Sequence, residues 1–258
     1  MTTPEELSES PELNDAPPMS LAARLANIFV APGEVFDSVK VSPPAMANWI
    51  VPLSLSIVVA FIYTMVVFSQ PTILQAMRMP VEKKFQQMVD SGKLTRQQAD
   101  QQLEMVEKFM SEQVLKIFGI LGSAIMLPIV LFVMALVVWL VGKYALGGNF
   151  PYMKAVEAVG LASTVTIPCG LLAMLLAVIY GNIGMTASPI LLVGHFDSAS
   201  RLDRVLSTLD IGSIWSLTVL SIALSRFTGR SFVVSAIWGF GIWAVIRVGP
   251  AVIFGGGQ

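Results

Sequence analysis

Long uncharged stretches alternate with polar ones along this chain, and the uncharged ones are long enough to cross a lipid bilayer. Residues 41–77, 117–142 and 158–194 contain no Asp, Glu, Lys or Arg. The hydrocarbon core of a bilayer is about 30 Å thick, so a helix rising about 1.5 Å per residue crosses it with roughly 20 apolar residues. On this basis the pattern predicts five crossings. The first covers about 49–69, with Trp49 at headgroup level and Pro52 near the helix start, where missing amides cost little. The second covers about 118–140, with Pro128 as a candidate kink and Trp139, Lys143 and Tyr144 marking the exit. The third covers about 161–180, and Pro168-Cys169-Gly170 at its centre suggests a bend or a close helix contact; residues 153–160 begin a helix beneath the surface. Segment 209–227 is short, and reaches across if its terminal charges snorkel. A tight turn at Thr228-Gly229-Arg230 then feeds the last helix, 231–253, so these two form an antiparallel hairpin.

The polar stretches fill in the rest. Residues 1–18 are acidic and proline-containing, with too little apolar surface to repay ordering, and read as a disordered tail. Ser20 can cap a short helix that places Leu21, Leu25, Ile28 and Phe29 on one face and Arg24 and Asn27 elsewhere. After the break at Pro32-Gly33, Val35, Phe36 and Val39 continue an apolar face, which suits an amphipathic element lying at the interface against lipid or against the bundle. Residues 81–112 are far too polar for lipid. Ser91-Gly92 interrupts them, and Thr95 followed by Gln98 fits a capping box, so they read as a helical hairpin outside the membrane. The expected fold is therefore all-α: a polytopic membrane helix bundle over 19–258 with five predicted spans, an amphipathic N-terminal helix, and a polar helical hairpin between spans one and two.

Composition narrows the chemistry. The chain has 258 residues, 13% of them charged, with a formal net charge of -1; nothing in it resembles the basic footprint of a nucleic-acid binder. One cysteine excludes an internal disulfide, and one histidine excludes a His-rich metal site. HExxH, a Walker lysine and a GxSxG elbow are all absent, so no enzyme and no cofactor is expected. Orientation stays open on charge alone: the loop after span one holds Arg78, Lys83, Lys84, Lys93, Arg96, Lys108 and Lys116, which favours that loop in the cytoplasm.

Among single residues, Arg247 is conspicuous because it follows a long uncharged run, either as an anchor or structural partner or as a contact to lipid or an internal acid. Asp210 is the acid to set against it, since an antiparallel hairpin brings both to one membrane face. Small residues spaced four apart, Ser235 with Gly239 and Gly212 with Ser216, permit close helix approach. Trp215, Trp238 and Trp243 read as packing or interface anchors.

Four segments in order, IFVAPGEVFDSV, NWIVPL, ALGGNFPYMKAVEAVGLAS and LDIGSIWSLTVLSIALSRFTGRS, resemble the Yip1-domain family of membrane proteins, particularly its bacterial members. Pro32 and Phe36 resemble the family's pre-membrane element, Asp210 and Trp215 the start of its penultimate span, and Gly229 its terminal hairpin turn. The resemblance implies a five-span domain with a cytoplasmic amino end, in a bacterial inner membrane. Eukaryotic relatives are linked to Golgi and endoplasmic-reticulum trafficking and bind small Rab-type GTPases, commonly with other family members. The expected role is an integral membrane interaction or organising protein, related to trafficking or membrane homeostasis, with lipids, further copies of itself or other membrane proteins as partners. The alternative is a transporter or lipid-handling permease, motivated by Pro128, Pro168 and the pairing of Asp210 with Arg247, although no inverted repeat is evident.

Overall fold

The computed structural model describes residues 19–197 and 200–249, so the acidic stretch 1–18 lies outside it. All regular structure among the described residues is helical. In chain order the α-helices are α1 (Leu21–Asn27), α2 (Pro32–Val41), α3 (Ala47–Val67), α4 (Pro71–Asp90), α5 (Arg96–Phe109), α6 (Glu112–Leu140), α7 (Tyr152–Ser163), α8 (Thr166–Tyr180), α9 (Ile190–Val193), α10 (Arg201–Thr208), α11 (Ile211–Thr228) and α12 (Phe232–Trp243). Wider π turns at Val141–Ala145 and Ala244–Val248 extend α6 and α12.

Four of the resulting rods, Ala47–Val67, Glu112–Ala145, Tyr152–Tyr180 and Ile211–Thr228, are long and apolar enough to cross a membrane. The last, Phe232–Val248, is shorter, about 25 Å at helical rise over its described length. In the most apolar window of the first rod only 17% of residues are buried, and Phe61, Phe118, Ile179, Ile237 and Val245 all lie open on the outside. Water would not tolerate so continuous an apolar exterior, whereas hydrocarbon does so without cost.

The rods alternate in direction and define two ends. The first end gathers α1, α2, the start of α3, the exit of α6, the start of α7 and the α11–α12 turn. The second gathers α4, α5, α9, α10 and the start of α11. At the first end, the expected exit residues of span two cluster. Trp139 stacks edge-on with Tyr144 and Tyr152, Lys143 Nζ lies 4.7 Å from the Trp139 ring, and Trp139 Nε1 donates to the Phe150 carbonyl. At the second end, the polar hairpin is longer than its polar composition indicates, because α4 begins at Pro71, where proline is tolerated as a first helical residue. Its second helix opens on the capping box read from Thr95 and Gln98.

The third span is longer than the uncharged run indicates. Helix begins at Tyr152, in keeping with the helix start read at 153–160, and continues into the span, and every residue from Lys154 to Ala162 is buried. A short break at Thr164–Val165 separates α7 from α8. Pro168 explains it, since its ring excludes a bond to the Thr164 carbonyl four residues back. The central Cys169 then meets α11 so closely that a Cβ on Gly212 would lie 2.8 Å from its Sγ.

Helix α7 is the pivot of the core: it packs on α2, α3, α6 and α11. Small residues make this possible. A Cβ on Gly160 would lie 2.4 Å from Trp49 Cα, so α3 and α7 touch backbone to backbone there. Gly160→Leu should therefore destabilise the protein by about 1–3 kcal/mol through overpacking. Gly122, with open space around its Cβ position, should accept Ala with a gain on the order of 1 kcal/mol from helix propensity. Thermal unfolding of both variants in mild detergent checks the contrast; equal melting temperatures would contradict the packing described.

Candidate functional site

The apolar face of α2 points inward. Val35, Phe36 and Val39 are fully buried, and Phe36 meets the Phe227 ring edge-on at 6.0 Å. Of the two placements open to this amphipathic element, the structure adopts packing against the bundle, where it rests on α11 and α7.

Beneath α2 lies a buried polar network. Glu157, fully enclosed on α7, accepts at Oε1 from the Ala45 amide at 2.6 Å and from Asn48 Nδ2 at 2.8 Å. Its Oε2 lies 2.8 Å from Lys154 Nζ, an ion pair whose angle falls short of a hydrogen bond. Lys154 spends its donors on the Val39 and Ser42 carbonyls, both at 2.7 Å, and thereby closes the carboxyl-terminal end of α2. Arg24 completes the set by donating to Asn48 Oδ1, Ser38 Oγ and Ser42 Oγ. Sequence periodicity put Arg24 on the polar side of α1; instead it is 5% exposed.

Lys154 thus pairs with the one carboxylate directly, while Arg24 reaches it only through Asn48. The surplus positive charge faces the last carbonyls of α2, the negative pole of that helix's dipole. The network pins four segments together: α1, the end of α2 with its linker, the start of α3, and α7. The sequence signal was present, since Lys154 and Glu157 stand three apart in an apolar helical window, but spacing alone does not show burial.

Above the network, α2 and the α11–α12 turn enclose a polar cleft of 590 Å³. Pro32, the first residue of α2, and Gly229, which takes φ 72° in the turn, both line it. Arg226 pairs with Asp37 at 3.3 Å, both half-exposed, Lys40 Nζ donates to the Arg226 carbonyl, and Arg230 Nε donates to the Leu146 carbonyl. Three cations around one acid make this cleft attractive to acidic groups, while the exposed pair itself contributes about 0–1 kcal/mol. Exposed Val30, Val41 and Met46 rim the ledge.

The six residues singled out from sequence therefore divide. Pro32, Phe36 and Gly229 come together at the first end. At the second, Asp210 Oδ1 accepts from the Ser213 amide and caps α11, while Trp215 is partly exposed on the same helix. Arg247 lies at this end too, in the π turn after α12, but among the described residues no ion pair joins it to Asp210. The charge pair behind the permease alternative is thus not formed, and that alternative finds no support. Among the described residues no cluster of His, Cys, Asp and Glu has the makings of a metal site.

The sequence model of the Yip1 domain matches residues 26–253. No curated protein and no solved structure matches the chain.

Two measurements test the polar architecture. Glu157→Leu should cost about 3–5 kcal/mol by stranding Lys154 in the core, and adding Lys154→Met should recover at least half; thermal unfolding of the two variants reads this, and an equally unstable double variant would refute the pairing. At the second end, the Asp197 amide and then the Ser200 hydroxyl hold the Asp203 carboxyl below its usual range. With the folded value depressed, its contribution is present above the unfolded value of about 3.9 and is lost as pH falls through the folded one. Protection of the 200–208 amides, taken relative to their intrinsic exchange rates, should accordingly fall below about pH 4, and Asp203→Asn should erase that pH dependence.

Proposed function

The chain belongs to the Yip1-domain family, and from that premise we propose that it works as a membrane-organising protein whose docking surface is the ledge formed by α2 and the α11–α12 turn. As a multi-pass Yip1-domain membrane protein, it is consistent with a role in membrane organisation and trafficking-related interactions. Members of the family are non-catalytic. What supports the ledge in particular is the buried network beneath it. A surface helix only ten residues long would fray without tertiary support, yet this one is held at its end by Lys154 of α7, which donates to two of its terminal carbonyls and is itself paired with Glu157. A rigid, cation-rich ledge with exposed valines at its rim is suited to an acidic partner at the membrane surface.

The reading includes five crossings, with Phe232–Val248 as the described part of the fifth, and an amino end in the cytoplasm. It also includes 81–112 as a hairpin outside the membrane and a bacterial inner-membrane location, which rests on the likeness of the four quoted segments to bacterial members. Partners are lipids together with further copies of the chain or other membrane proteins.

A photoreactive side chain at Val30 or Val41 should give protein adducts in native membranes, while one at lipid-facing Ile179 should not; adducts confined to lipid at all three positions would sink the docking surface. For topology, reporters after Ser69, Lys143, Gly194 and Thr228 and at the carboxyl terminus should alternate in exposure. Two neighbouring reporters on the same side would reject five crossings.

A further inference from the structure

A second feature lies within the membrane, away from the ledge. Helices α6, α11 and α12 do not close on one another, and they leave a groove of 330 Å³ between them. Its wall is almost wholly apolar, built from residues such as Val130, Met134, Leu217, Leu224 and Ile242. Along its length it runs from Val141 and Leu224, near the first end, to Ser213 and Arg247 at the second.

Its far end is different in kind. Arg247 stands fifteen residues beyond Phe232, about 22 Å along the helix, which sets it close to the opposite headgroup level. It is exposed and makes no hydrogen bond or ion pair among the described residues. Beside it, the Ser213 and Ser216 side chains line the groove with hydroxyls that form no hydrogen bond among the described residues. Ser221, Thr218 and Thr228 on the same helix instead bond back to the carbonyl four residues earlier. The nearby Asp210 carboxylate is directed at the first turn of α11, where Oδ1 accepts from the Ser213 amide. A lone guanidinium and two free hydroxyls at the mouth of an apolar channel present donors to a phosphate and a wall to a hydrocarbon chain.

We propose that this groove holds one acyl chain of an anionic phospholipid from the leaflet on the Asp210 side, with the phosphate against Arg247, Ser213 and Ser216. The lipid is a resident of the fold and not cargo: it fills the gap between α6 and the terminal hairpin, and it neutralises a cation at the membrane edge. This goes beyond the docking function, which neither needs the lipid nor falls with it.

The test reconstitutes the full chain in bilayers of equal phosphatidylglycerol and phosphatidylethanolamine, extracts it in mild detergent, and weighs the intact complexes by mass spectrometry. One phosphatidylglycerol per chain is expected, enriched at least fivefold over phosphatidylethanolamine. Arg247→Gln should keep a bound lipid but lower that preference below twofold. Ser216→Leu and, independently, Ile242→Phe should fill the groove and shed the lipid, with unchanged helical content confirming that each variant is folded. A wild-type chain free of lipid, equal retention of both lipids, or a preference that survives Arg247→Gln would overturn the proposal. So would lipid binding that appears only when the chain is cut after Gly249, because the groove would then be the seat of its own carboxyl-terminal segment.

Discussion

A carboxylate shut away from water must find its counter-charge and its donors within the protein, and Glu157 finds them on three different segments. Lys154 supplies the charge from the next turn of α7, Asn48 a donor from the start of α3, and the Ala45 amide a donor from the linker before it. Each partner is itself committed elsewhere. Lys154 holds the end of α2, and Asn48 receives Arg24 from α1. Because a buried charge without partners costs several kcal/mol, these segments are held in one arrangement or the network fails as a whole. Apolar packing inside a bilayer gives less direction, since lipid tails are as apolar as leucine and no hydrophobic force drives one helix against another. Polar contacts and close backbone approach, as at Gly160, therefore carry the specificity.

The two ends of the bundle differ accordingly. At the first, Arg24, Lys40, Lys143, Lys154, Arg226 and Arg230 stand against Glu34, Asp37 and Glu157 in the described residues, so the excess is positive. Part of that charge is buried as structure, and part is displayed along the cleft between α2 and the terminal turn. At the second end, charges of both signs are mixed along exposed helices, as in the solvated Glu104–Lys108 pair, with Asp203 on α10 a buried exception. One end is thus built to present a fixed, signed surface and the other to stay in water. That asymmetry favours an interaction protein whose recognition face is the ledge.

Much of this was legible in the chain. The apolar blocks, the capping box at Thr95 and Gln98, the turn at Gly229 and the Ser20 cap follow from local rules of length, spacing and backbone preference, and the structure has them where those rules put them. Family membership was readable as well, from four segments in order. Properties that depend on what lies opposite a residue were not. Arg24 has the periodicity of a solvated position and is buried, because Ser38, Ser42 and Asn48 converge on it from elsewhere in the sequence. Residues 153–160 carry Lys154 and Glu157 and yet belong to the most enclosed helix, because the two charges pair and find their hydrogen bonds on α2, its linker and α3. Asp210 and Arg247 do share an end, as an antiparallel hairpin requires, but the carboxylate is taken by a helix amide first. The functional roles proposed for Pro32, Phe36 and Gly229 rest on their convergence at the ledge, which spacing alone cannot reveal.

Glu157, through its partners, keeps α2 docked on the bundle, and hydrogen exchange over the amides of 35–42, measured for the full chain in lipid nanodiscs, reads that docking. Exchange should be slow in the natural protein and faster by at least tenfold in Glu157→Leu, with the amides of α11 little changed. Equal protection of α2 in both proteins, or fast exchange already in the natural one, would contradict it.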